Sequence, residues 1–270
     1  MALYARIPLA LEALAVSPVI ASENNKQHAL VSKTELVDQR VLEINNVGYQ
    51  YPNSTNESLR NVSITLEKGL MYAIVGPSGA GKTTFVDVCL GLIKPTSGEV
   101  VEIDSGIRYA YVPQHTHLSS VSLKGNVAIE WDDRLINDDL ADTAMRQALI
   151  ENVFDGRKDD ENSSAMSGGQ MQRIGIARAL YRKPNFLVLD EATNALDAST
   201  EHEIVGLVEN LRSTMTILVV AHRLSTVRNA DKVIYFESGE IKGVGTFTEL
   251  QEKIPAFAEQ LNLGLFTQNE

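Results

Sequence analysis

Eight residues, Gly76-Pro-Ser-Gly-Ala-Gly-Lys-Thr83, narrow the folds open to this 270-residue chain more than its composition does. They match G-x-x-x-x-G-K-[ST] in full, with the apolar run Leu70–Val75 before them and a helical run through Thr84, Phe85, Val86, Val88 and Leu90 after them. A strand that feeds a glycine-rich turn into a helix lets several backbone N–H groups converge on phosphate oxygens, and the helix N-terminus adds positive potential. The pattern predicts that Gly76, Ser78, Gly79, Gly81 and Thr84 shape a nucleoside triphosphate site. Lys82 then reaches the β- and γ-phosphates as a point charge, and the Thr83 hydroxyl ligates Mg²⁺. A glycine-rich turn that merely carries Lys-Thr is the plain alternative, and the strand before and helix after argue against it.

Apolar runs at Val41–Val47, Leu70–Val75, Ile107–Val112, Phe186–Leu189, Met215–Ala221 and Val233–Phe236 read as strands. Helical patterns follow Gly81, Gly168 and Asp197. Continuous apolar strands with helices between them predict a parallel sheet in an α/β fold. Phe186-Leu-Val-Leu-Asp190-Glu191 ends such a strand in two carboxylates, which places both at the edge where ligands of these sheets bind. Asp190 is expected to hold Mg²⁺ and Glu191 to take a proton from the attacking water. From about Ser122 to Ala165 the rhythm breaks into helical spacing, read as an insertion. Residues 130 to 161 carry eleven carboxylates against four cations, and a solvated face is the ordinary meaning of such a run.

The net charge of −11 argues against a protein held on nucleic acid by bulk electrostatics. Cys89, the single cysteine, sits in an apolar run and is expected in the core, so a disulfide framework is excluded. Near the N-terminus Ile7, Leu11 and Leu14 share a helical face. Pro8 and Glu12 interrupt that stretch, which is shorter than the ~20 residues of a membrane span. It reads as an amphipathic helix, with residues 22 to 40 as a linker. His115 and His117 invite a metal reading, but two histidines without further ligands are ordinary surface residues.

Met166-Ser-Gly-Gly-Gln170-Met-Gln-Arg-Ile-Gly-Ile-Ala-Arg178-Ala-Leu is similar to the signature motif of ATP-binding-cassette (ABC) proteins. Its physics is readable alone: Ser167, Gly168 and Gly169 open a helix and present N–H groups and a hydroxyl, a second anion site. For Ser-Gly-Gly by itself an N-cap with a flexible lead-in is the plainer reading; the resemblance favours the anion site and adds Gln170 to it. The resemblance runs from about Val41 to Leu250. It implies a P-loop NTPase core with a parallel sheet, an N-terminal antiparallel β subdomain and an inserted α-helical subdomain at about residues 115–180. Residues 1–40 then form the amphipathic helix and linker, a possible end of a transmembrane domain; 41–255 form the ATPase domain and 256–270 a C-terminal tail. By the same resemblance Tyr51 stacks on adenine, Gln114 touches Mg²⁺ and relays to a transmembrane partner, and Asn194-Ala-Leu-Asp197 crosses a dimer interface. His222 contacts the γ-phosphate.

The resemblance further implies that two cassettes pair head-to-tail, each ATP lying between the phosphate loop of one and the signature loop of the other. Asp190-Glu-Ala-Thr-Asn-Ala-Leu-Asp197 and Ala221-His-Arg-Leu-Ser-Thr226 are similar to exporter cassettes. The 53 positions from Gln114 to Ser167 fit a small helical subdomain and leave no room for a long coiled coil. An ATPase driving export from the cytoplasmic face of a membrane, through a transmembrane domain in the same longer chain or on a separate subunit, is the leading expectation. A soluble ABC ATPase working on a non-transport partner and a cassette that only binds ATP are the alternatives. Met166 replaces the usual leucine, Asn194 a common serine, and Arg157–Ala165 lacks the glycines of a stretch that touches the membrane domain in exporters.

Overall fold

A computed structural model of the chain describes residues 39–150, 166–190, 198–212, 214–221 and 223–262. The strands are β1 (Arg40–Gln50), β2 (Glu57–Glu67), β3 (Met71–Val75), β4 (Ser97–Glu102), β5 (Tyr109–Val112), β6 (Phe186–Asp190), β7 (Thr216–Val220), β8 (Lys232–Glu237) and β9 (Glu240–Gly245). The helices are α1 (Lys82–Cys89), α2 (Leu123–Ala128), α3 (Asp138–Gln147), α4 (Gly168–Tyr181), α5 (Ala198–Leu211), α6 (Leu224–Asn229), α7 (Phe247–Lys253) and α8 (Pro255–Asn262). The fold is α/β, with one antiparallel sheet and one largely parallel sheet.

The inner strands are apolar throughout because the larger sheet is buried on both faces. Its order is β5-β6-β7-β3-β8-β9, parallel except for β9, which pairs antiparallel with β8. Met71, Ala73 and Val75 enter one core with Leu187, Leu189, Ile217 and Val219, and with helix residues such as Ile174, Ile204 and Phe257. Tyr72 and Ile74 enter the other, with Val188, Leu218, Phe236, Phe85 of α1 and the inner face of the small sheet. One residue of slip would move every strand side chain to the wrong core, so register is strongly fixed.

The small sheet has the order β2-β1-β4, all antiparallel. It covers one face of the large sheet and turns its other face to water. Cys89 is buried here as expected, and burial pushes its thiol pKa up. The insertion contains α2, a short 3₁₀ turn at Asp133–Leu135, and α3, packed on α4. Its described acids, Glu130, Asp132, Asp133, Asp138, Asp139 and Asp142, are exposed or half-buried. Lys124 reaches Asp138 at 2.6 Å and Asp142 at 2.8 Å, and Arg134 pairs with Asp132 at 2.7 Å. Such exposed pairs contribute little to stability. Residues 256–262, in the stretch assigned to a tail, continue α8, whose Phe257 is fully buried against Tyr235.

Candidate nucleotide site

The larger sheet sets the site because β3, β6 and β7 are parallel neighbours and end on one edge. At that edge β3 runs from the fully buried Val75 into Gly76. Gly76 has φ +147°, and a Cβ there would overlap the Phe236 carbonyl of β8. Gly81 has φ +101°, and a Cβ there would lie 2.5 Å from the Ser58 carbonyl oxygen of β2. Only glycine takes these conformations and permits these approaches. The Gly239 N–H, in the β8–β9 turn, donates to the Ala80 carbonyl at 3.0 Å and clamps the loop from the other side.

The donor chemistry of this loop fits a polyphosphate. Helix α1 starts at Gly81 with no side-chain cap and no acid in its first turn. Its first N–H groups therefore lack the side-chain acceptor that a helix start usually finds. Lys82 is 7% exposed, and its Nζ donates to the carbonyls of Gly76 at 2.8 Å and Pro77 at 3.0 Å. The ammonium is thus held over the mouth of the loop. Ser78, Gly79 and Thr83 are exposed, while Thr84 is buried with its Oγ1 3.2 Å from the Tyr51 hydroxyl. Tyr51 is 40% exposed and meets Tyr49 edge-on at 4.8 Å between ring centroids, so an aromatic ring stands beside the loop.

Asp190 ends β6 on the same edge, half-buried. The Tyr111 hydroxyl of β5 donates to its Oδ2 at 2.9 Å. Asp87 of α1 also feels this carboxylate: burial first, and the Asp190 charge second, raise the Asp87 pKa above its ordinary value. A cation binding at such a pair of acids is favoured by the local field. Tyr111 was not singled out from sequence, where it is simply the first residue of Tyr-Val-Pro-Gln.

Gln114 is exposed, two residues beyond β5. The loop after it is pinned to α4 twice. Thr116 is buried against Gly175, where any Cβ would overlap its hydroxyl, and Arg178 donates from both terminal nitrogens to the His117 carbonyl at 3.2 Å. Arg178 Nε also reaches the Asn126 carbonyl at 2.9 Å, while the Asn126 side chain bonds to Ser119, Val121 and Ser122. His115 and His117 are both exposed.

The signature segment forms a capping box. Ser167 Oγ accepts from the Gln170 N–H at 3.3 Å, and Gln170 Oε1 accepts from the Ser167 N–H at 2.9 Å. Ser167 and Gly168 are exposed, Gly169 is buried and Gln170 half-buried. This helix packs on α2, α3 and β5, at the far end of the sheet from the phosphate loop. Three strand spacings separate β5 from β3, about 14 Å. Among the described residues no hydrogen bond joins Ser167–Gln170 to the phosphate loop or to Asp190. Glu191 and His222 lie outside the described residues, as do 157–165 and 194–197. Their chain neighbours Asp190 and Ala221 are described; the Ala221 N–H donates to the Ile74 carbonyl at 3.0 Å, beside the start of the loop.

Comparison with known proteins agrees with this geometry. Residues 59–194 match the family model for ABC transporters. The chain is 33% identical over 237 residues to ABC transporter B family member 13 of Arabidopsis thaliana, covering 82% of this chain and 19% of the relative. It is 36% identical over 225 residues to the ATP-dependent lipid A-core flippase of Bordetella avium (strain 197N), covering 77% of this chain and 38% of the relative. The chain therefore spans well under half the length of these relatives. A solved bacterial Atm1-family ABC exporter with ATP bound superposes with a TM-score of 0.73 at 27% identity, over 84% of this chain and 42% of that one. With its phosphate loop, signature helix and sheet edge in this arrangement, the chain belongs to the ABC transporter family.

Proposed function

We propose that the chain is the ATP-hydrolysing cassette of an exporter. It binds ATP with Mg²⁺, closes head-to-tail on a second copy, and drives a substrate across a membrane from its cytoplasmic face. The route for the substrate belongs to a transmembrane domain, in the same longer chain or on a separate subunit. Among the described residues no helix is long and apolar enough to cross a membrane. The observation that carries the reading is the uncapped start of α1, offering only donors, on the same sheet edge as the Asp190 carboxylate.

Each residue then has a task. The backbone of Gly76–Gly81 wraps the phosphates, and Lys82 neutralises charge on the β- and γ-oxygens. Tyr51 stacks on the adenine. Thr83, Gln114 and Asp190 would hold Mg²⁺, which would supply positive charge to offset that of the phosphates. Glu191 takes a proton from water as its oxygen bonds to the γ-phosphorus and the bond to the β–γ bridging oxygen breaks, giving ADP and phosphate. His222 contacts the γ-phosphate. Ser167, Gly168, Gly169 and Gln170 offer their helix start to the γ-phosphate bound by the partner copy, which ties hydrolysis to dimer opening.

The test is ATP turnover by the purified chain with Mg²⁺, beside the variant Glu191→Gln. Turnover by the wild type is expected, and the variant should lose between about 10²- and 10⁴-fold in kcat. It should still bind ATP and accumulate as the closed dimer. Turnover of Glu191→Gln at the wild-type rate would remove Glu191 from the role of general base. Co-purification of the chain with a membrane protein tests the export half of the reading, and its stable recovery with a soluble partner instead would contradict that half.

A further inference from the structure

Tyr111 stands on β5, which runs parallel to β6 with Tyr111 opposite Val188 and Val112 opposite Leu189. Residues two apart share a face, so Tyr111 and Asp190 lie on the same side of the sheet, diagonal across neighbouring strands. The hydroxyl donates to Asp190 Oδ2 at 2.9 Å, and the ring remains 40% exposed at the open edge. A carboxylate that must meet a cation gains from a donor that fixes its rotamer. The identity of the donor matters. A lysine or arginine here would neutralise Asp190 and compete with the cation, whereas a phenol is uncharged near neutral pH and orients the carboxylate without cancelling its charge.

A further fact fits. Tyr111 also lies three residues before Gln114 on the same strand exit, so one rigid strand carries both the donor to Asp190 and the loop glutamine. We propose that Tyr111 is a positioning residue for the metal-binding carboxylate, its hydroxyl holding Asp190 in the rotamer that receives the divalent cation. This rests on the assignment of Asp190 to the metal.

The experiment is Mn²⁺ titration followed by electron paramagnetic resonance, on the full chain with a non-hydrolysable ATP analogue. Wild type, Tyr111→Phe and Asp190→Asn are compared. Nucleotide affinity without metal and the unfolding temperature are measured on each. Tyr111→Phe keeps the ring and removes only the donor, so it should weaken Mn²⁺ about tenfold while metal-free nucleotide affinity and unfolding temperature stay at wild-type values. Asp190→Asn should weaken Mn²⁺ more. If Asp190→Asn loses the metal and Tyr111→Phe binds it within about twofold of wild type, the role of Tyr111 is overturned and that of Asp190 stands. If Asp190→Asn binds Mn²⁺ normally, both assignments fall. A fall in metal-free nucleotide affinity or in unfolding temperature for Tyr111→Phe would make the hydroxyl structural and overturn the proposal as well.

Discussion

Gly81 shows how much of the site a single position carries. Its φ of +101° and the nearby Ser58 carbonyl leave no room for a side chain, and it is also the residue from which α1 starts without a cap. Gly81→Ala should therefore destabilise the fold by about 1–3 kcal/mol, read as a lower urea midpoint, because strain at such a φ is of that size. A midpoint equal to wild type would show that the loop relaxes freely. Lys82 is the complementary case. Its ammonium already sits on the Gly76 and Pro77 carbonyls, so no reorganisation of a distant side chain is needed when phosphate arrives.

Among the elements, α4 does two jobs. Its N-terminus presents Ser167 and Gly168, while Gly175 and Arg178, further along, hold the loop that follows Gln114. The Arg178 guanidinium satisfies carbonyls at His117 and Asn126, so Arg178→Met leaves them without their donor at a cost of roughly 1–3 kcal/mol. Amide hydrogen exchange should then speed up across residues 115–128 and stay slow in β3 and β7. Uniform exchange across both regions would contradict a local clamp. The inner strands were legible from sequence because burial on both faces writes an unbroken apolar run. Three strands, β2, β4 and β9, were not read as runs. β4 has no fully buried residue, and the β1–β2 register shifts at bulges around Ile44, Val47 and Tyr49 blur the alternation a half-buried strand should show. The phosphate loop was legible because its chemistry is contiguous. The Tyr111–Asp190 bond was not, since its partners stand 79 residues apart and only the β5–β6 register brings them together.

At the scale of the whole molecule, the separate placement of the two helix starts proposed to bind phosphate is the governing fact. α1 begins beside β3, and α4 packs on β5 at the end of the sheet. On the proposed function, a phosphate held at Lys82 would meet Ser167 of a second copy turned head-to-tail rather than Ser167 of its own chain. ATP would then be the contact that exists only in the closed state, and its hydrolysis would shift the population back to open. The most direct measurement is complementation between two inactive variants. Lys82→Ala lacks a working phosphate loop and Ser167→Arg lacks a working signature loop, so each alone should be inactive. Mixed in equal amounts, the two should regain about a quarter of the wild-type ATP turnover, because half the dimers carry one complete site of two. A mixture as inactive as its components, with each variant folded and the wild type active, would show that the site is completed within one chain.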